Sequence, residues 1–293
     1  MSVLSGTLTG TLTMATPLLL AALGENVVQK AGLVNVGLEG MMLTGAFAAT
    51  MGAKLLGNAY VGVACGAVAG MLLAFILVGF AIRLTANQVV VGVVVNLLAL
   101  GLTGTLYRAF FGTTGSFVTT ASLPHIALFA NQTILMPMAL LAVPAVWWGL
   151  HRTRRGLELR ACGEQPVAAE ASGVNVRTLR TWAVLFGGAM AGVAGAFLSV
   201  GDSNTFKEGM TDGRGFIALA IVTSGRWSPW GCLIAALVFG FAEVLQFQWQ
   251  ALGLQLPYQL FLALPYLVTL VLLTTGGRWS QAPNSLGRPY HKA

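Results

Sequence analysis

Charge is what this chain has least of. Lys and Arg number 16 and Asp and Glu 9, together 9% of 293 residues, where a soluble domain carries about 25%. That excludes a soluble globular protein and leaves little chain for a domain outside a membrane. Cysteine is almost as scarce. Cys65, Cys162 and Cys232 stand alone, with no paired or metal-ligand spacing, which argues against a zinc site or a disulfide framework and makes them small packing residues. The three histidines, His125, His151 and His291, fall in loops and tail, so no catalytic grouping forms around them. There is no Gly-x-x-x-x-Gly-Lys-Ser/Thr phosphate loop, so the chain does not bind ATP in that way. A dense series of intramembrane carboxylates, as a proton pump would need, is missing too. The N-terminus lacks a basic stretch and the first charge is Glu25. It reads as a first spanning helix that stays rather than as a secretory signal.

What is present is apolar. Hydrophobic residues make 56% of the chain, mean hydropathy is +0.78, and there are 37 glycines, the small residues that let membrane helices approach closely. Stretches of spanning length occur at about 5–23, 36–54, 59–82, 88–110, 131–150, 181–200, 230–249 and 256–274. A ninth, 216–224, is too short to cross alone and is counted as one traverse by a short or broken helix. The fold class expected is an all-α polytopic membrane protein forming one permease domain over 1–293. If the loop 151–180 is cytoplasmic, twelve basic residues fall inside and four outside, which predicts the N-terminus out and the C-terminus in. The net charge of +7 then reflects cytoplasmic loops, not nucleic-acid binding. The same count makes the segments about 5–111 and about 181–275 run in opposite senses, as in an inverted repeat.

Two Gly-rich polar breaks enter membrane segments at corresponding places, Gly32–Gly40 and Gly209–Gly215, and such breaks point to a transport site. Glu39 lies in the first turns of the helix after the first break, where its charge meets a positive helix end; it either takes part in permeation or serves as a structural cap or ion-pair partner. Glu243, within 230–249, allows the same two readings. Asn96 lies one turn beyond Gly92 on the same helix face and must find a partner at that depth, on a neighbouring helix or on a polar permeant. With them, Asn35, Asn87, Asp212 and Phe216 complete the substrate-path candidates. Tyr107, Phe110, Phe111, Phe247 and Trp249 cluster near presumed outer ends and fit an interfacial belt, or a stacking surface for a flat base or a sugar.

The main hydrophilic island runs from His151 to Arg180 and holds six of the sixteen Lys and Arg. It reads as a basic cytoplasmic loop with a short helix near Glu164–Ser172 ending at Gly173, suited to dock a soluble partner. Gly163, Glu164, Pro166, Ala168, Ala169 and Gly173 are the coupling candidates. Glu164 is expected in the first turn, Pro166 where no N–H is needed, and the alanines where close seating is required. Arg177 and Arg180 are expected near lipid headgroups.

Several motifs occur together and in order. Residues 31–47 (AGLVNVGLEGMMLTGAF), 163–174 (GEQPVAAEASGV), 206–220 (FKEGMTDGRGFIALA) and 225–231 (GRWSPWG) resemble the permeases of the simple-sugar and nucleoside branch of bacterial ABC importers. The wider family includes branched-chain amino acid and ribose permeases. The likeness covers nearly the whole chain; Gln165 stands where family members often have Asn. The resemblance implies a non-enzymatic, cofactor-free transport subunit in the bacterial inner membrane. A cytoplasmic ATPase would dock on the loop, a second homologous permease would pair with the chain, and an extracytoplasmic solute-binding protein would deliver substrate. The rival classes are an ion-coupled secondary transporter with inverted repeats and, within the ABC class, a branched-chain amino acid permease. A structural membrane scaffold sits poorly with Glu39 and Asn96.

Overall fold

The computed structural model describes residues 3–112, 121–126, 132–251, position 267 and residues 282–290. The expected span at 256–274 lies outside these residues except for that one position. Helices run through nearly all the rest: α1 (Val3–Lys30), α2 (Leu38–Leu56), α3 (Ala59–Leu77), α4 (Gln88–Phe111), α5 (Leu135–Arg152), α6 (Arg154–Glu164), α7 (Pro166–Ala171), α8 (Val176–Ala196), α9 (Arg214–Ser224) and α10 (Pro229–Ala251). An antiparallel pair of two-residue strands, β1 (His125–Ile126) and β2 (Gln132–Thr133), lies between α4 and α5 in chain order.

Short polar residues set the helix starts. Asn58, Asn87, Asn175 and Thr153 accept backbone N–H bonds at the heads of α3, α4, α8 and α6, satisfying donors that the first turn leaves open. α3 and α8 run out through wider π-type turns, Val78–Arg83 and Phe197–Ser203.

Among the described residues, five helices are long and apolar enough to cross a membrane: Gly6–Lys30, Ala59–Arg83, Gln88–Phe111, Val176–Ser203 and Pro229–Gln248. α2 and α5 stand where two further spans were expected. They fall short of that measure because α2 carries Glu39 and Lys54, while α5 closes on two Trp, His151 and Arg152. α9 has 11 residues, a length of about 16 Å against a hydrocarbon core of about 30 Å. It is the short segment expected at 216–224, begun two residues earlier.

α2, α3 and α8 pack on one another, α1 lies against α8 and α10, α4 against α2, and α9 against α1. The α3–α8 contact is made by backbone: a Cβ on Gly192 would overlap the Gly66 carbonyl, and one on Gly70 would overlap that of Gly188. Such contacts give helix association in lipid its van der Waals energy. Leu18, Leu23, Met41, Met42, Phe197 and Phe239 are buried, whereas Val89, Val90, Val93, Val94, Leu97 and Leu98 of α4 face outward.

Long-range bonds sort the connections to two ends. One end gathers the α1–α2 joint, the start of α4, the 151–180 island, the α9–α10 turn and residues 282–290. There Val34 N donates to Gln88 Oε1 (2.8 Å), Arg180 Nε to the Ala31 carbonyl (3.0 Å), Trp227 Nε1 to Gln29 Oε1 (2.6 Å) and Ser285 N to the Gly163 carbonyl (2.9 Å). At the opposite end Lys54 lies over the Phe111 ring, Arg108 pairs with Glu208, and Leu123 N bonds the Val200 carbonyl.

Candidate functional site

The two Gly-rich breaks meet. Glu39, in the first turn of α2, reaches the start of α9, where its carboxylate accepts from Gly213 N at 2.9 Å and Gly215 N at 2.6 Å. The segment 209–213 coils tightly to offer these donors, with Gly209, Asp212 and Gly213 in the left-handed region (φ +69°, +45° and +80°). The approach is so close that a Cβ on Gly215 would lie 2.5 Å from Glu39 N. Thus one half-buried carboxylate stands at two helix N-termini, its own and that of α9, both of which favour negative charge. Of the two readings of Glu39, the capping role is present in the geometry.

Asn96 secures the same joint from α4. Its Oδ1 accepts from Gly40 N (2.8 Å), and its Nδ2 donates to the Val36 carbonyl (2.9 Å). Gly92, one turn earlier, lets α4 approach, since a Cβ there would lie 2.7 Å from Gly37 N. The shared face expected of Gly92 and Asn96 is therefore the face that holds the break. Asn35 turns the other way. It is fully buried, its N donates to Glu25 Oε1 (3.1 Å), and its Nδ2 to Met41 Sδ (3.3 Å). Asn87 stands apart from this cluster as the exposed cap of α4.

Beside the joint, toward the Arg108–Glu208 end, lies a cavity of about 500 Å³, within the usual range for small-molecule sites. α1 contributes Thr13, Met14 and Pro17; the end of α8 contributes Phe197, Leu198 and Asp202; the coil before α9 contributes Lys207, Glu208 and Asp212; Arg214 opens α9. Asp212 is exposed here and Phe216 half-exposed nearby on α9. Thr13, Asp202, Lys207 and Arg214 were not singled out from sequence. The signal available was the density of charge between 202 and 214, where Asp202, Lys207, Glu208, Asp212 and Arg214 fall between two apolar stretches. Arg214 pairs with Glu243 of α10 at 2.5 Å, so Glu243 is an ion-pair partner. Arg108 holds the Glu208 carboxyl below the usual range by a two-pronged contact at 3.0 Å. Of the aromatic cluster, Tyr107 and Phe111 pack on each other and Tyr107 on Phe206, which meets Phe47 edge-on.

The island differs from expectation in three respects. Gly163 and Glu164 end α6, and the short helix is α7, begun by Pro166 and closed before Gly173 (φ +86°). Glu164 is therefore not in a first turn; its carboxylate accepts from Asn284 Nδ2 (2.9 Å). Ala169 is buried against Cys162, Val176 and Tyr290, leaving Val167, Ala168 and Ala171 on the open face. Arg180 is 2% exposed, not at a headgroup level, because its guanidinium is drawn into carbonyls of the α1–α2 joint and α6. Burial raises the Cys162 thiol pKa, and the bond to Glu170 raises that of the Tyr290 phenol.

Residues 7–273 match the family described as branched-chain amino acid transport system / permease component. A relative named as a glucose ABC transporter permease of Haloferax volcanii is 40% identical over 272 residues, covering 87% of this chain and 81% of the relative. The guanosine ABC transporter permease NupQ of Bacillus subtilis is 33% identical, covering 99% of this chain and 98% of its own. The nucleoside ABC transporter permease NupC of Lactococcus lactis is 31% identical, covering 95% and 94%. A solved ABC transporter in an inward-facing conformation, described as of metal-chelate type, shares the fold with a TM-score of 0.54 at 16% identity, over 92% of this chain and 85% of that one. A backbone-packed helical bundle, a pair of broken helix starts and this set of relatives agree: the chain belongs to the branched-chain amino acid transport system permease family, in its simple-sugar and nucleoside ABC transporter branch.

Proposed function

We propose that the chain is the membrane-spanning half of an ATP-driven importer that moves a nucleoside or simple sugar into the cytoplasm. The observation that carries this reading is the joint made by Glu39. Two broken helix starts, one from each half, meet at a polar cavity, the arrangement by which transporters build a solute site within the membrane. The names of the glucose, guanosine and nucleoside permeases support the substrate class.

In this reading the chain has eight spans and one half-helix, with the N-terminus out and the C-terminus in. Basic residues favour it. Lys30, Arg83, the six of the island, Arg226 and Arg288 gather at one end, while Lys54, Arg108 and Lys207 belong to the other. An inverted repeat is supported by the packing: α1 lies on α10 as α8 lies on α3, and α1 on α9 as α8 on α2. An extracytoplasmic binding protein delivers solute to the cavity of Asp202, Lys207 and Asp212, where both signs of charge offer donors and acceptors to hydroxyl groups. A cytoplasmic ATPase seats on the exposed face of α7, and hydrolysis switches access from one end to the other. A second homologous permease completes the path. The subunit itself catalyses nothing and needs no cofactor, and it resides in the cytoplasmic membrane.

Co-expression with its neighbouring ATPase, second permease and binding protein tests the reading. The complex is expected to co-purify and to take up labelled guanosine or glucose only with ATP. Uptake by the isolated chain driven by an ion gradient would overturn it.

A further inference from the structure

The open face of α7 and the Glu39 joint lie on different parts of the fold, and the chain between them passes through Lys30–Asn35. Arg180 is the group that holds this connection. Its Nε donates to the Ala31 carbonyl at 3.0 Å, its Nη2 lies 3.2 Å from Ser285 Oγ and 3.5 Å from the Cys162 carbonyl, and its Cζ is 5.7 Å from the Tyr290 ring centre. Among the described residues no carboxylate pairs with it. A buried guanidinium without a counter-ion is costly and persists only where its donors are all directed. Here Nε and Nη2 reach three separate segments at once.

The C-terminal segment completes the arrangement. Ser285 N and Oγ reach the Gly163 carbonyl (2.9 and 2.7 Å), Asn284 bonds Glu164, Gly287 N donates to the Gly32 carbonyl (3.1 Å), and the Tyr290 hydroxyl meets Glu170 of α7. The backbones are in contact. A Cβ on Gly32 would lie 2.5 Å from Ser285 Oγ and 2.7 Å from Arg180 Nη2, and one on Gly163 would overlap the Lys30 carbonyl. From Gly32 the chain runs directly to Asn35, held by Glu25, and to the first turn of α2 with Glu39.

We propose that Arg180 and residues 284–290 form a clamp that fixes the docking helix to the α1–α2 joint. Displacement of α7 is thereby passed to the start of α2 and to the entry of α9. Arg180 is a positioning residue, acting through the joint and not on solute. The proposal rests on α7 being the ATPase contact. A packed, bonded route of this kind needs a coupling measurement, not proximity alone.

The test uses the assembled importer in proteoliposomes, with three changes made in turn: removal of residues 283–293, Arg180→Gln, and the combination N284A, S285A and Y290F. ATPase co-purification, ATP hydrolysis and solute uptake are read together. The clamp predicts retained co-purification and hydrolysis, with uptake per ATP falling about tenfold, the size expected for losing charge-assisted bonds at one joint. Arg180→Lys is not expected to restore it, because a compact ammonium lacks the planar fork that spans Ala31, Ser285 and Cys162. An unchanged uptake-to-hydrolysis ratio overturns the proposal, as does a proportional fall in both, which would make the clamp only a folding support of the loop. Where Arg180→Gln does not accumulate, the triple change, which keeps Arg180, decides. Failure of the docking reading shows separately, as full ATPase co-purification by a Val167→Trp chain.

Discussion

Glu39→Gln isolates the cap from the space it fills. The wild-type carboxylate accepts two backbone N–H bonds, at 2.9 and 2.6 Å. Bonds to a charged acceptor contribute about 1.5–3 kcal/mol each, and a negative group at a helix N-terminus adds about 0.3–1 kcal/mol. The amide keeps one acceptor, loses the charge, and turns an NH2 toward the second donor. Glu39 is half-buried, so the low end of each range applies, and the expected cost is about 2 kcal/mol, rising to about 3 kcal/mol for Glu39→Ala. At roughly 2–4 °C per kcal/mol for a chain of this size, the amide should unfold about 4–8 °C lower. The seven tryptophans provide the fluorescence signal in detergent. Glu39→Asp keeps the charge but is one methylene shorter and should fall between. An unchanged unfolding temperature in the amide variant, with uptake lost, would refute the capping argument and assign the carboxylate to the solute.

Ala168→Trp should abolish ATPase co-purification while leaving the permease folded. Ala169→Trp, whose site is packed against Cys162, Val176 and Tyr290, should lower permease yield itself. Single cysteines at Lys207 and Asn204 should react with an impermeant maleimide in intact spheroplasts, and one at Gln165 only after permeabilisation; labelling at Gln165 from outside would reverse the orientation. Native Cys162 should resist maleimide at pH 8 in the folded protein, because it is buried and its thiol is held above the ordinary range. Only the thiolate reacts, so raising the pH should speed labelling; rapid reaction at pH 7 would contradict the buried placement.

How much could be read beforehand depended on the range of the interaction. The Gly32–Gly40 and Gly209–Gly215 breaks were legible because polar, Gly-rich chain entering an apolar run is visible locally. The Asn96–Gly92 face was legible because helical spacing fixes it. That Glu39 bridges the two breaks was not, since its partners lie 174 and 176 residues away. The island's basic load announced a loop, yet six residues of α7 are too few to reveal by periodicity which side is covered. The cover, Tyr290, comes from the far end of the chain, and that same segment turns Ala169 inward and draws Arg180 away from the bilayer surface. Asn87 is a substrate-path candidate by sequence, but an Asn immediately before an apolar run is first of all a helix cap.

The seam where α3 meets α8 has a mechanical consequence. Gly66 and Gly70 touch Gly188 and Gly192 through bare backbone. Where side chains interlock, a small tilt is taken up by rotamer changes. Here there are no rotamers, and a tilt that parted the backbones would leave a gap that nothing nearby can fill, forfeiting dispersion contacts outright. Tilting α3 against α8 is therefore stiff, and α2, α3 and α8 are expected to move as a single slab. The compliance then resides in the thinner parts, the wide turns that end α3 and α8. In an unbound and a nucleotide-bound complex, spin labels across α3 and α8 would keep their separation while labels across α3 and α10 change theirs.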